Sequence, residues 1–295
     1  MQNLSKRYQL SIFADGVPNV LLLPVITDLT LEFKVTRSAM YSLNTGHFKI
    51  YNISRDSAPL IAKDRFIATT YNRAVLQVQI GDQPYYTIFD GNIHEAYSYH
   101  DGVDFITEIS CMQGGYDAQN AQISQTVTAG TPIADIFQLL ANQFQYTEIG
   151  SVDPEVLATP PETRDTTLVG SVYKKMNALF GNSVFFDNGF INLVGDGCGI
   201  IVGDSIPSIS YKDGLIGTPR RRGQQMNVEA ILMPHLAAAQ LVKVESLNLL
   251  YNGEYKIQSL THSGILSKSV AAETTTSLEL FAGLEGVPFR VAGGL

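Results

Sequence analysis

The chain has 295 residues, with 28 acidic and 20 basic side chains and a formal net charge of −8. Apolar residues make up 45% and charged ones only 16%, a balance that excludes a disordered chain and a cationic nucleic-acid binder. The length suits about two domains, and apolar runs such as residues 20–26 fall far short of the ~20 residues that cross a bilayer.

Residues 1–10 lack the apolar segment of a secretory signal. Residues 7–14 (RYQLSIFA) then alternate apolar and polar and meet the turn signal Asp15-Gly16. Residues 29–36 (LTLEFKVT) put Leu29, Leu31, Phe33 and Val35 on one face, and residues 47–53 (HFKIYNI) do the same with Phe48 and Ile50. Residues 73–80 (RAVLQVQI) end at Gly81-Asp82. Residues 85–99 hold two strands' worth of β-formers around Asp90-Gly91-Asn92, and Asp101-Gly102 leads by a hairpin into residues 103–111 (VDFITEISC). Antiparallel strands this closely spaced predict a small barrel or sandwich.

The middle changes character. Thr131-Pro132 reads as an N-cap and first helical residue. Ile133, Ile136, Phe137, Leu140 and Phe144 follow at helical spacing. After a loop with Pro154, Pro160 and Pro161, a second helix is expected from about Thr167, with Leu168, Val172, Met176, Leu179 and Phe180 on one stripe and Gly181 closing it. Asn188-Gly189 between residues 184–187 and 190–194 predicts a tight hairpin. The last third returns to strands at residues 227–233, 240–246, 255–262 and 274–281, with a turn at Asn252-Gly253. The fold class expected is therefore mainly β with an α+β insert, divided as 1–124 (β-barrel), 125–205 (α+β), 206–286 (β-barrel) and a loose tail, 287–295.

Motifs for chemistry are scarce. His47, His94, His100, His235 and His262 show no HxH or HxxxH spacing; His94-Glu95 is followed at the fifth position by Ser98, so the zinc-protease pattern fails. Turn and strand-end positions are expected for them, and no metal or cofactor. Gly195-Asp196-Gly197-Cys198-Gly199 precedes residues that read as a strand (200–203) rather than a helix, so it lacks the helix N-terminus that a phosphate needs. Asp101, Asp104 and Glu108 are the carboxylates that a glycoside hydrolase would use, although the solvated side of a strand explains them equally. Tyr97, Tyr99 and Tyr116 are the aromatics that a carbohydrate-binding surface would expose, with ordinary strand packing as the alternative. Cys111 and Cys198 have no neighbouring His to activate a thiolate, and two cysteines make no disulfide scaffold, which fits a reducing cytosol or chance. Arg220-Arg221-Arg222, after Gly217-Thr218-Pro219, reads as a loop that is either salt-bridged or at a subunit interface.

Two stretches taken together carry a family resemblance. Residues 29–54 (LTLEFKVTRSAMYSLNTGHFKIYNIS) resemble the N-terminal domain of phage tail proteins, with Phe33, Val35, Arg37, Asn44 and the Ile50-to-Ser54 run in the expected order. Residues 214–264 are similar to the C-terminal domain of Mu-like and T-even-like baseplate hubs, through GLIGTP (214–219), Leu232-Met233-Pro234, VKVES (242–246), GEYKI (253–257) and Thr261-His262-Ser263-Gly264. Two departures stand out: Ala237-Ala238-Ala239 where the family has a glycine, and no tryptophan anywhere.

The resemblance implies a non-enzymatic structural protein of the virion tail baseplate, assembled in the host cytoplasm. It implies a homotrimer whose two tube-like barrels per subunit form a pseudo-six-fold ring. That ring adapts the six-fold tail tube, or its initiator, to a three-fold central spike, touches wedge proteins, and passes genomic DNA without sequence-specific binding or membrane insertion. The acidic balance predicts a channel wall that repels phosphate. Subunit contacts are expected in residues 38–46 and 58–70, and at Arg37, Ser38, Asn44, Arg220, Arg221 and Arg222. The alternatives are a tail-associated peptidoglycan hydrolase, a distal tail protein and a carbohydrate-binding protein.

Overall fold

The computed structural model describes residues 5–15, 19–64, 71–160, 163–268, 272–283 and 287–294. The N-terminal third forms β1 (Lys6–Phe13), β2 (Leu31–Ser38), β3 (Thr45–Tyr51), the one-turn helix α1 (Ala58–Ile61), β4 (Arg73–Ile80), β5 (Tyr86–Asp101) and β6 (Asp104–Met112). The strands β1 to β4 bury every second side chain, as a half-solvated sheet demands: Leu10 and Ile12 on β1, Leu31, Phe33 and Val35 on β2, Phe48 and Ile50 on β3, Leu76 and Val78 on β4. The outer edge of β1 is covered by the following segment, through bridges of Leu10 to Ile26 and Phe13 to Leu21. Gly16 of the expected Asp15-Gly16 turn, and residues 65–70 of the expected contact loop, lie outside the described residues.

Asp90-Gly91-Asn92 does not divide two strands. β5 is one strand of 16 residues, pairing with β4 through its first half and β6 through its second. A Cβ on Gly91 would lie 2.6 Å from the Met112 carbonyl oxygen, so this glycine serves close strand approach rather than a turn. Asp101-Gly102 is a true hairpin, with Gly102 left-handed at φ +60° and Asp101 facing Asp104.

The insert comprises α2 (Gly115–Asn120), β7 (Gln122–Val127), α3 (Ile133–Ala141), β8 (Glu148–Val152), α4 (Pro154–Leu157), β9 (Thr166–Ser171), α5 (Val172–Phe180), β10 (Val184–Asp187) and β11 (Phe190–Leu193). The helix expected from Thr167 starts later. Thr166–Ser171 pairs with β7, and the Ser171 hydroxyl accepts from the Lys174 amide at 3.5 Å to begin α5 at Val172. Leu168 is buried from the strand just as it would have been from a helix, so apolar spacing could not separate the two. α3 also starts one residue late: Pro132 occupies the cap, and the Thr131 hydroxyl donates to the Thr128 carbonyl instead. The Asn188-Gly189 turn is as expected, with φ of 47° and 85°, the two left-handed residues that a type I′ hairpin requires.

The remainder forms β12 (Cys198–Gly199), β13 (Ser208–Ser210), β14 (Leu215–Arg222), β15 (Gln225–Ile231), β16 (Leu241–Glu245), β17 (Gly253–Leu266), β18 (Thr274–Phe281), β19 (Arg290–Val291) and β20 (Gly293–Gly294). One sheet runs β1-β4-β5-β6-β3-β2-β17-β18-β15-β14, with β13 and β16 attached beside β17. The 14-residue β17 is the joint: its start pairs with β16, and Ser259 to Leu266 pair with β2. Separate apolar clusters underlie the N-terminal sheet, the insert and the C-terminal sheet. The fold is thus mainly β with an α+β insert.

Three further expectations change. The terminal segment is tied down rather than loose: β19 pairs with β12, β20 pairs with β8, and Arg290 bridges Asp153 at 3.0 Å and Glu155 at 2.9 Å. Arg220–Arg222 belong to β14 rather than a loop, with Gly223 turning the chain into β15. After Gly199, Ile200 makes a single bridge to Gln240 and no longer strand forms.

Candidate functional site

The sheet has a buried face and an open polar face, and the open face runs unbroken across both β regions. Strand register sets its rows. Ile216, Glu229, Ser277, Thr261, Thr36 and Thr45 succeed one another across six strands. One step along lies Thr275-Ser263-Lys34-His47-Ser110, and beyond it Glu32-Lys49-Glu108-Tyr97. The middle is rich in hydroxyls, several within bonding distance across strands: Thr36 to Thr261 at 3.3 Å, Ser263 to Thr275 at 3.4 Å. Charge on this face alternates in sign, with Glu32, Glu108, Glu229 and Glu279 set among Lys34, Lys49 and Arg220. A trough of about 440 Å³ crosses its C-terminal part, between Arg220, Asn227, Glu229, Thr261 and Glu279.

β14 ends the sheet, with β15 its one strand neighbour among the described residues. It is a poor template for a further strand. Its register shifts between Ile216 and Arg220, Gly217 is left-handed, and Pro219 has no N–H to donate. Such interruptions are how exposed edges avoid indiscriminate pairing.

Arg37 and Asn44, expected at a subunit contact, lie inside the chain where β2, the insert and the C-terminal region meet. Arg37 is 2% exposed. Its Nε and Nη2 donate to both Asp187 carboxylate oxygens at 2.7 and 2.6 Å, and Nη1 donates to the Leu236 carbonyl at 3.1 Å. The Asn44 amide accepts from the Ser38 N–H at 2.8 Å and donates to Gln113 Oε1 and the Phe186 carbonyl at 2.9 and 2.7 Å. Gln113 continues to Asn188 Oδ1 at 2.8 Å. Ser38 is half-buried beside Gln258. The hairpin of the insert is therefore bolted to β2 by one bidentate ion pair and a chain of amides. His262, expected at a strand end, is fully buried in the middle of β17 and shares a 2.9 Å contact with the Thr276 hydroxyl. Burial, then Arg37 and His235, push its pKa down to about 3, so it is neutral.

The candidates for catalysis do not assemble. Burial raises the Glu108 carboxyl, but hydrogen bonds from Tyr99 and Tyr97, at 2.7 Å each, and Lys49 outweigh this and hold it below its usual value. A carboxylate held ionised by three donors is a poor general acid. Asp104 instead accepts from Asn52 at 2.9 Å. Burial pushes the Cys111 thiol strongly up and the Cys198 thiol up to about 11. Among the described residues no group of three or more His, Cys, Asp and Glu could hold a metal, and no helix is long and apolar enough to cross a membrane. Tyr97 and Tyr99 stack 6.0 Å apart on the polar face. Tyr116 lies on α2, packed between Tyr71 and Tyr146 at 4.8 and 4.9 Å. Beside it a cleft of about 400 Å³ opens between the N-terminal sheet and the insert, among Phe13, Asp15, Arg73, Tyr146, Glu148 and Phe190.

A family model for the baseplate hub gp41 matches residues 23–271. The chain belongs to that family. Membership places this hub chain in the virion tail. The 43 kDa tail protein of prophage MuSo2 from Shewanella oneidensis superimposes with a TM-score of 0.59 at 11% identity, over 96% of the hub chain and 99% of that protein. A tail protein from Neisseria meningitidis MC58 gives 0.58 at 9% identity, over 95% and 97% of the two chains. The E. coli c3393 protein, a component of the type VI secretion system, gives 0.58 at 8% identity, over 95% and 78%. These likenesses show a shared fold. No curated protein matches the sequence.

Proposed function

We propose that the hub chain is a non-enzymatic homotrimer whose ring adapts the six-fold tail tube to a three-fold spike, touches surrounding wedge proteins, and surrounds the channel through which DNA leaves. One observation carries this reading: a single sheet passes through both β regions across β2 and β17, so each copy offers two tube-like segments to a ring, and three copies offer six. The division at 1–124, 125–205, 206–286 and 287–295 expresses the same duplication. The polar face is the channel wall in this reading. Its hydroxyls and alternating charges let a phosphate backbone pass with few fixed cationic contacts, which is what rapid transit needs. Channel repulsion then rests on local glutamates rather than on a uniformly acidic wall.

Light scattering on the purified protein, followed by negative-stain imaging, tests the proposal. The expected result is a mass near three times 32.2 kDa and a ring with a central opening. A different stoichiometry, or a particle without an opening, contradicts it.

A further inference from the structure

The loop between β16 and β17 carries Leu247, Leu249 and Leu250 at 91%, 79% and 80% exposure. Single exposed leucines need no explanation, but these form one apolar projection on a fixed support. The Ser246 N–H donates to Asn252 Oδ1 at 2.7 Å, the Leu250 N–H to Asn248 Oδ1 at 3.2 Å, and the Tyr255 hydroxyl to the Tyr251 carbonyl at 2.9 Å. Residues Leu249–Tyr251 make one tight helical turn. A loop already ordered in this way loses little conformational freedom on docking.

The arginine triplet stands at the same end of the C-terminal sheet. Arg222 faces Gln225, Gln225 faces Phe281, and Phe281 faces Lys256, near the start of β17. The Arg221 charge also reaches Tyr255, where it opposes the upward push of burial on that phenol. The projection is therefore apolar at its tip with cations beside it.

The cleft between the N-terminal sheet and the insert has the opposite character. Its lining holds four carboxylates, Asp15, Asp90, Asp117 and Glu148, against one guanidinium, Arg73. Asp90 is paired with Arg73 and Asp117 accepts backbone amides of Gln145 and Tyr146, while Glu148 is exposed on β8. Tyr146 and Phe190 remain 45% and 44% exposed beside it, so aromatic surface there lacks cover.

We infer that the leucine loop of one copy, with Arg221 and Arg222 at the end of β14 beside it, docks in the cleft of a second copy, its leucines against Phe13, Tyr146 and Phe190 and these two arginines facing Glu148. Projection and cleft lie on different parts of the chain, so the contact is head-to-tail. Such a contact closes into a three-membered ring when each copy is turned by a third of a revolution, and otherwise runs on as an open filament. The interrupted edge of β14 leaves strand addition a poor alternative, so side chains rather than a shared ladder hold the copies together. The inference rests on the ring reading above and specifies how that ring closes.

The test is chemical cross-linking of the full chain carrying Leu249→Cys and Glu148→Cys, with a short bismaleimide. Cys111 and Cys198 are buried and do not compete. The double variant is expected to give a covalent trimer on a denaturing gel, and each single variant a monomer. No linked species from the double variant overturns the docking. A wild-type trimer by light scattering then leaves the ring reading standing, and a wild-type monomer removes both. Leu249→Asp with Leu250→Asp is expected to weaken assembly about ten-fold or more, as loss of an interface anchor does. Arg222→Glu and Glu148→Arg are each expected to weaken it, and their combination to restore part of the loss. Unchanged assembly in the leucine variant also overturns the inference, as does binding to phosphatidylglycerol vesicles without any cross-linked trimer.

Discussion

The junction between β2 and the insert is held by a buried ion pair, whereas the open face of the same sheet carries exposed ones. Arg37 and Asp187 are almost sealed from solvent and share two parallel hydrogen bonds. Lys49 and Glu108, on the polar face, meet at 3.2 Å with their side chains 42% and 25% exposed. Burial makes the first pair intolerant of losing one partner, because the survivor keeps an unpaid desolvation cost. Exposure makes the second pair weak and salt-sensitive. The difference separates two parts of the fold: the junction fixes how the insert stands on the sheet, and the face stays open to solvent.

The largest expected effect comes from splitting the buried pair. Arg37→Ala should lower stability by about 3–5 kcal/mol in urea unfolding, with the insert loosening first in hydrogen exchange. A loss under about 1 kcal/mol would place the junction in the same class as a surface pair. His262 gives the next effect. It is neutral when folded, with a pKa pushed down to about 3, while the unfolded chain takes up a proton near ~6.5. Between those values only the unfolded state gains a proton, so stability falls as pH drops through the window, by about 2 kcal/mol at pH 5 relative to neutral pH. His262→Gln should remove that part of the pH dependence, measured by urea unfolding at both pH values.

Ser171→Ala should cost about 1 kcal/mol, the usual value of a helix cap, seen as a modest shift of the urea midpoint and faster exchange in α5. Smallest of all, Glu108→Gln on the open face should change stability by less than about 1 kcal/mol and abolish what salt dependence the Lys49 pair contributes. A larger loss there would erase the contrast with the junction.

The strands were legible where one face alone is buried. β1, β4 and β18 follow period-two patterns that need no tertiary information, and the tight turns at Gly102 and Asn188-Gly189 follow from backbone conformations that few residues accept. What stayed hidden depends on partners distant in sequence. Asp90-Gly91-Asn92 has turn composition, yet Gly91 is needed because Met112 passes so close. Thr166–Ser171 becomes a strand because β7 is there to pair with it. The β2–β17 joint links residues more than 200 positions apart, which no local pattern encodes. The candidate site divides the same way. Arg37 and Asn44 were singled out by their place in a family-like motif, and the structure spends both on internal bonds to Asp187, Gln113 and Phe186. Arg220–Arg222 were visible as a dense cationic run, and they are exposed on β14. The leucine loop carried a signal that was available, three leucines among Ser246, Asn248 and Asn252, but only exposure distinguishes a projecting turn from a core segment.

The central claim is that three copies close a ring with the polar sheet face turned inward. A three-dimensional reconstruction of the assembled tail baseplate tests it most directly. The account predicts three copies around the axis, with Thr36, Thr261 and Ser277 lining the opening and β2 beside β17 at the same radius. A ring of another copy number, or one in which that face points outward to solvent, would contradict it.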